Sequence, residues 1–161
     1  MKKNLLQYVD YNLWANKRIA DVLLKQDASF FDKEVKNSFP SIRKTTNHIL
    51  DAEVVWLYRL QHKIIAWPPG QQLFPNANID QFAKYSEEFL KFISAQNESF
   101  FITSTTFKDS KGTEYTMSND GIIMHCMNHS TFHRGQIVTM LRQLGVTEIV
   151  STDLITYLRL K

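Results

Sequence analysis

Three of the five histidines in the chain stand at intervals of four: His125, His129 and His133. An α-helix turns about 100° per residue, so side chains four apart lie within ~40° of each other, one turn along the axis. Two imidazoles so placed converge on a single ion, and H-x-x-x-H on a helix is a common source of two nitrogen ligands. The same spacing also arises on solvated helix faces. Here the neighbours Ile122-Ile123-Met124 and Cys126-Met127 are too apolar for a fully exposed face. A buried imidazole needs a polar partner, and a metal ion can be one. A third ligand must come from elsewhere. His48 lies among Ile42, Ile49, Leu50, Val55 and Trp56. On pattern alone it reads better as an ordinary core or surface histidine.

These residues need elements to hold them. Leu5, Val9, Leu13, Ile19, Ala20, Leu23 and Leu24 recur at helical spacing and predict a first helix over residues 3–25. A polar stretch, 26–40, separates it from a second helix over 42–65, with Ser41 as N-cap and Trp67-Pro68-Pro69-Gly70 as its stop. A third helix starts near Asn78 or Asp80. Its aromatic stripe of Phe82, Tyr85, Phe89, Phe92, Ile93 and Phe100 is expected to pack the core. Thr105–Lys108 and Thr113–Met117 flank the turn residues Asp109-Ser110-Lys111-Gly112 and predict a small β-hairpin. Ser118 or Asn119 caps a fourth long helix over 120–144, with Gly145 as its stop. A short helix over 152–159 follows. The expected fold is all-α: a single domain, residues 1–161, built as a four-helix bundle with a small hairpin and a short C-terminal helix. The connections leave the order of the helices around the bundle open.

Composition narrows the function. The hydrophobic fraction of 43% supports a packed core and excludes wholesale disorder. A net charge of +3 with no basic stripe gives nucleic-acid binding little support. Cys126 is the one cysteine, which rules out a disulfide framework within the chain and fits a reducing cytoplasm. Gln7, Asp10, Asn12 and Asn16 interrupt the apolar N-terminus, so it does not read as a signal peptide, and no stretch approaches a membrane span.

The segment His125-Cys126-Met127-Asn128-His129-Ser130-Thr131-Phe132-His133-Arg134-Gly135-Gln136 resembles the H-x-x-N-H-x-x-x-H-R-G-Q signature of DinB-like proteins. Tyr11-Asn12-Leu13-Trp14-Ala15-Asn16, Ser41-Ile42-Arg43 and His48-Ile49-Leu50 are similar to the family's first- and second-helix motifs. Trp56, Leu141–Gly145 and Asp153–Leu158 extend the likeness over nearly the whole chain. The resemblance implies a metal site of three histidines, one from the second helix and two from the fourth: His48, His129 and His133. His125 is the reserve ligand, and His62 a surface residue. It also implies a divalent ion, and imidazole ligands suit zinc, nickel, manganese or iron. Some DinB-like relatives resemble metal-dependent hydrolases, and others are transferases or isomerases that use low-molecular-weight thiols such as bacillithiol or mycothiol. Such kinship suggests a small-molecule substrate and a homodimer. A metal-binding stress-response module without catalysis is the alternative.

Neighbouring residues carry further expectations. Asp51, three residues from His48, is a weak candidate to hold a histidine N–H or act as base, ahead of Glu53. For each, a solvated or helix-pairing carboxylate is the ordinary role. Arg134 is expected to pair with an acidic residue on another helix, Gly135 to allow close helix approach, and Gln136 to be structural. Cys126 reads as a small buried hydrophobe rather than a catalytic thiol.

Overall fold

A computed structural model describes residues 1–161. Four long helices form the body: α1 (Lys2–Leu23), α2 (Ile42–Leu60), α4 (Gln81–Ser94) and α6 (Asn119–Gln143). Short helices α3 (Pro69–Leu73), α5 (Glu98–Ile102) and α7 (Leu154–Leu158) and the antiparallel pair β1 (Ser104–Lys108) and β2 (Glu114–Ser118) complete it. The all-α bundle with one hairpin is the architecture expected. Both α1 and α2 pack against α4 and α6. The sequential helices α1 and α2 therefore occupy opposite corners, joined by residues 24–41 across one end. Ile49, Val54, Phe89, Ile93, Ile122, Ile123 and Ile137 meet at the centre with no exposed surface.

Helix ends follow local chemistry. Ser41 caps α2 by accepting from the Lys44 N–H, and Ser118 caps α6 by accepting from the Gly121 N–H. Gly145, at φ +91°, takes the left-handed position after α6, as its sequence position suggests. Three boundaries differ from expectation. Helix α2 stops at Leu60, not 65, because His62 adopts φ +56°. The Lys63 N–H then returns to Tyr58 O and the His62 N–H to Arg59 O, the same closing pattern that glycine provides for α6. Pro69 does not merely block a helix but opens α3 at its first position, where it has no N–H to lose. The third predicted helix is two helices: the Asn97 side chain accepts from the Phe100 N–H and starts α5 afresh. The aromatic stripe does fill the core, with Phe82, Tyr85, Phe89 and Ile93 buried and Phe92 and Phe100 half-buried against it. The short C-terminal helix runs over Leu154–Leu158, inside the 152–159 expected.

In the hairpin, Asp109 Oδ1 accepts from the Lys111 and Thr113 N–H groups and Gly112 turns at φ +84°. Thr105, the buried residue of β1, donates to Asn119 Oδ1 and ties the hairpin to the start of α6.

A buried polar network crosses the bundle. The Glu53 carboxylate, with no exposed surface, accepts from Asn12 at 2.8 Å, Asn16 at 3.0 Å, Ser86 at 2.7 Å and Ser130 at 3.1 Å. The amide oxygens of Asn12 and Asn16 accept from the Arg134 guanidinium at 2.5 and 2.8 Å. Two asparagines thus relay charge between an acid on α2 and a base on α6. Burial pushes the Glu53 carboxyl up, opposed first by its hydrogen-bond donors and then by the Arg134 charge, and pushes the Arg134 guanidinium down, opposed first by Tyr11 and then by the Glu53 charge. The expected direct pairing of Arg134 with an acid does not form; the amides stand between instead.

Candidate metal centre

His48 sits in the second turn of α2, and His129 and His133 lie one turn apart on α6. Where α2 advances from His48 to Trp56, α6 runs back from His129 to His125, whose ring lies 5.0 Å from Trp56. The two helices are therefore antiparallel, and their facing stripes bring the rings together.

Nε2 of His129 lies 3.1 Å from Nε2 of His48 and 3.2 Å from Nε2 of His133. Ligand atoms of all three fall within 4.8 Å of one another. Two imidazole nitrogens on one tetrahedral cation at 2.0–2.1 Å would stand about 3.3 Å apart, so the spacing fits. The lone pairs also fit. His133 Nδ1 lies 2.7 Å from Gln136 Oε1, whose amide nitrogen donates to Ser38 Oγ. With the Gln136 amide oxygen facing the ring, Oε1 can only accept; in that arrangement Nδ1 of His133 carries the proton and Nε2 presents its lone pair. His129 Nε2 cannot satisfy both neighbours with one proton. A shared cation satisfies all three. The three-histidine group can thus hold a metal ion.

Burial keeps the rings neutral. It pushes His48 down to about 4 and His129 to about 3, with neighbouring imidazoles adding to both shifts. His133 is also lowered by burial, with the Gln136 bond opposing. At neutral pH none of the three rings carries the second proton that would repel a cation, as metal binding needs. Nδ1 of His129 is buried without a partner.

The surroundings are aromatic. Phe39 lies over His48 at 4.4 Å and edge-on to His133 at 5.6 Å, and Trp67 lies edge-on to His48 at 5.9 Å. The loop before α2 and the loop after it both reach the site.

Residues 1–161 match the DinB family. The chain belongs to that family. It is 28% identical over 145 residues to Protein DinB of Bacillus subtilis strain 168, covering 84% of this chain and 83% of that protein. A DinB-like protein from Bacillus cereus ATCC 10987 shares the fold, with a TM-score of 0.68 at 21% identity over 92% of this chain and 95% of that one.

The DinB signature residues divide sharply by role. His125 stands apart from the three-histidine group: its ring packs on Trp56, 6.0 Å from that of His129. His62 is exposed, as expected. Cys126 is fully buried, and burial raises its thiol well above the ordinary value. Asp51 holds the Gly70 N–H at 2.6 Å rather than a histidine. Glu53 belongs to the network with Arg134. Gly135 is exposed with open space where a Cβ would go, so it does not serve close packing. The close approach occurs at Gly70, where a Cβ would meet Asp51 Oδ1 at 2.7 Å. Gln136, expected only to be structural, is the side chain that orients the His133 ring. Its place three residues after His133, on the same helix face, is the signal the sequence offers.

Proposed function

We propose that this DinB-family protein is a metal-dependent enzyme acting on a small molecule, with His48, His129 and His133 holding one divalent cation. The observation that carries the reading is the convergence of three, and not four, side chains on one point. Structural zinc sites close with four protein ligands, whereas catalytic sites keep three and leave a position for water or substrate. When bound, the cation supplies Lewis acidity that makes a water or a thiol nucleophilic near neutral pH. The chain's own contribution is orientation and shelter. Gln136 fixes the His133 tautomer, and Phe39 and Trp67 screen the rings from solvent. Hydrolysis and thiol transfer both suit such a centre.

A non-catalytic metal-binding module is favoured by one observation: neither Asp51 nor Glu53 stands free as a general base, since one holds Gly70 and the other Asn12 and Asn16. Metal content separates these readings from a metal-free role. Purified wild type should carry close to one equivalent of transition metal, and His129→Ala should carry almost none. Equal content would remove both. A screen of ester and amide hydrolysis, and of electrophile conjugation with several small thiols, then separates enzyme from module, because metal-dependent turnover lost in His129→Ala supports the enzyme and silence supports the module.

A further inference from the structure

A cavity of about 440 Å³ lies between the end of α2 and the hairpin, lined in part by Val55, Arg59, Lys63, Phe107, Lys108 and Glu114. Its distinguishing feature is Arg59. The guanidinium is held between two rings, 4.4 Å from that of Trp56 and 4.3 Å from that of Phe107, which themselves meet edge-to-face at 5.2 Å. One Nη donates to Lys108 O at 3.1 Å. No carboxylate forms an ion pair with it, although Arg43, Lys17, Lys84 and Lys161 each have one. The nearby Asp109 spends Oδ1 on the hairpin turn. Glu114 is exposed, opposite Lys108 in the strand register. A planar, half-buried guanidinium with unused donors suits bidentate contact to a carboxylate or phosphate.

Position along α2 gives this cavity a relation to the histidines. Arg59 follows His48 by eleven residues, three full turns, so the two share one face about 16 Å apart. The rings between them are continuous: His129, His125 at 6.0 Å, then Trp56 at a further 5.0 Å. His125 is exposed and Trp56 half-buried, so this row borders solvent.

We propose that the Arg59 cavity is an anion subsite, which binds a carboxylate or phosphate group on an elongated small molecule whose other end reaches the three-histidine centre. The second half rests on the metal reading above; the anion subsite itself does not. Arg59 supplies the paired donors, with Trp56 and Phe107 fixing their plane, and Lys63 and Lys108 add positive charge at the rim. His125 and Trp56 offer a flat surface for the linking portion.

The test is a nuclear magnetic resonance titration of the full chain, metal-free and zinc-loaded, with succinate and with inorganic phosphate at constant ionic strength. Saturable shifts are expected at the Arg59 Nε–H and the Trp56 indole N–H in both forms of the protein. Arg59→Gln should weaken binding at least tenfold with its zinc content unchanged. The exposed pair Lys63→Gln/Lys108→Gln should weaken it several-fold without touching the fold. Lys91→Gln, which removes an exposed charge on α4 outside the cavity lining, should leave it unchanged. Non-saturable shifts, or equal losses in Lys91→Gln, would overturn the subsite. Shifts confined to the histidines of the zinc-loaded form would do so too. Failure of zinc to bind wild type would instead strike the metal reading, and the metal-free titration would still decide the subsite.

Discussion

Replacing Arg134 by methionine keeps most of the side-chain volume but removes the one guanidinium in the buried network. The Glu53 carboxylate would remain fully buried among Asn12, Asn16, Ser86 and Ser130. The amide oxygens of both asparagines would lose their donor. Removing one partner of a buried charge pair costs about 3–5 kcal/mol, and each unsatisfied buried acceptor costs about 1–3 kcal/mol. These terms overlap, so a loss of roughly 4 kcal/mol is expected, a large share of the ~5–15 kcal/mol available to a domain. Urea unfolding at pH 7 in the presence of a chelator measures it free of any metal contribution. Glu53→Leu alone should also destabilise strongly, because Arg134 then has no counter-charge. The double variant Glu53→Leu/Arg134→Met should cost much less than the two losses added, since neither charge is left uncompensated. A loss below about 1 kcal/mol for Arg134→Met, or simple additivity in the double variant, would refute the relay through the asparagines.

Gln136→Ala should lower metal affinity ten- to a hundred-fold by isothermal titration while lowering the urea stability of the metal-free protein by only about 1 kcal/mol, because the bonds lost are those to His133 Nδ1–H and to the exposed Ser38 Oγ. Gly135→Ala should raise the unfolding free energy by up to about 1 kcal/mol, since a Cβ there meets nothing and alanine favours the helix. Gly70→Ala should lower it by about 1–3 kcal/mol through the clash with Asp51. The depressed histidines set a pH dependence in the metal-free protein. Their folded values of about 4 and about 3 lie below the ordinary 6.5, so the unfolded chain binds more protons below that pH. Their contribution is complete above pH 6.5 and is lost as pH falls toward 4. Chemical unfolding at pH 7 and pH 5 should show a drop that shrinks in His48→Gln/His129→Gln, and an unchanged drop would contradict these shifts.

The α6 histidines are legible in the amino-acid sequence because helical spacing alone aligns them, and the bundle because four apolar patterns have sufficient length. His48 is legible only through likeness to DinB-like proteins, since a lone histidine among apolar residues carries no distance information. Helix ends depart from expectation where the stop lacks its usual residue: His62 takes a left-handed turn that glycine would have announced. The break after Ser94 is hidden because Asn97 sits inside an unbroken aromatic stripe. The roles of Glu53, Asn12 and Asn16 are not legible, because their bonds join helices dozens of residues apart. Asp51 stands at the right spacing to serve His48, but the chain returns Gly70 to it, a contact that depends on the path of residues 61–80.

X-ray absorption on the zinc-reconstituted protein tests the centre most directly. Three imidazole nitrogens at about 2.0–2.1 Å, falling to two in His48→Ala and unchanged in His125→Ala, are predicted. A first shell of the same composition in wild type and His48→Ala, or one lacking imidazole, would show that α2 and α6 do not share a cation.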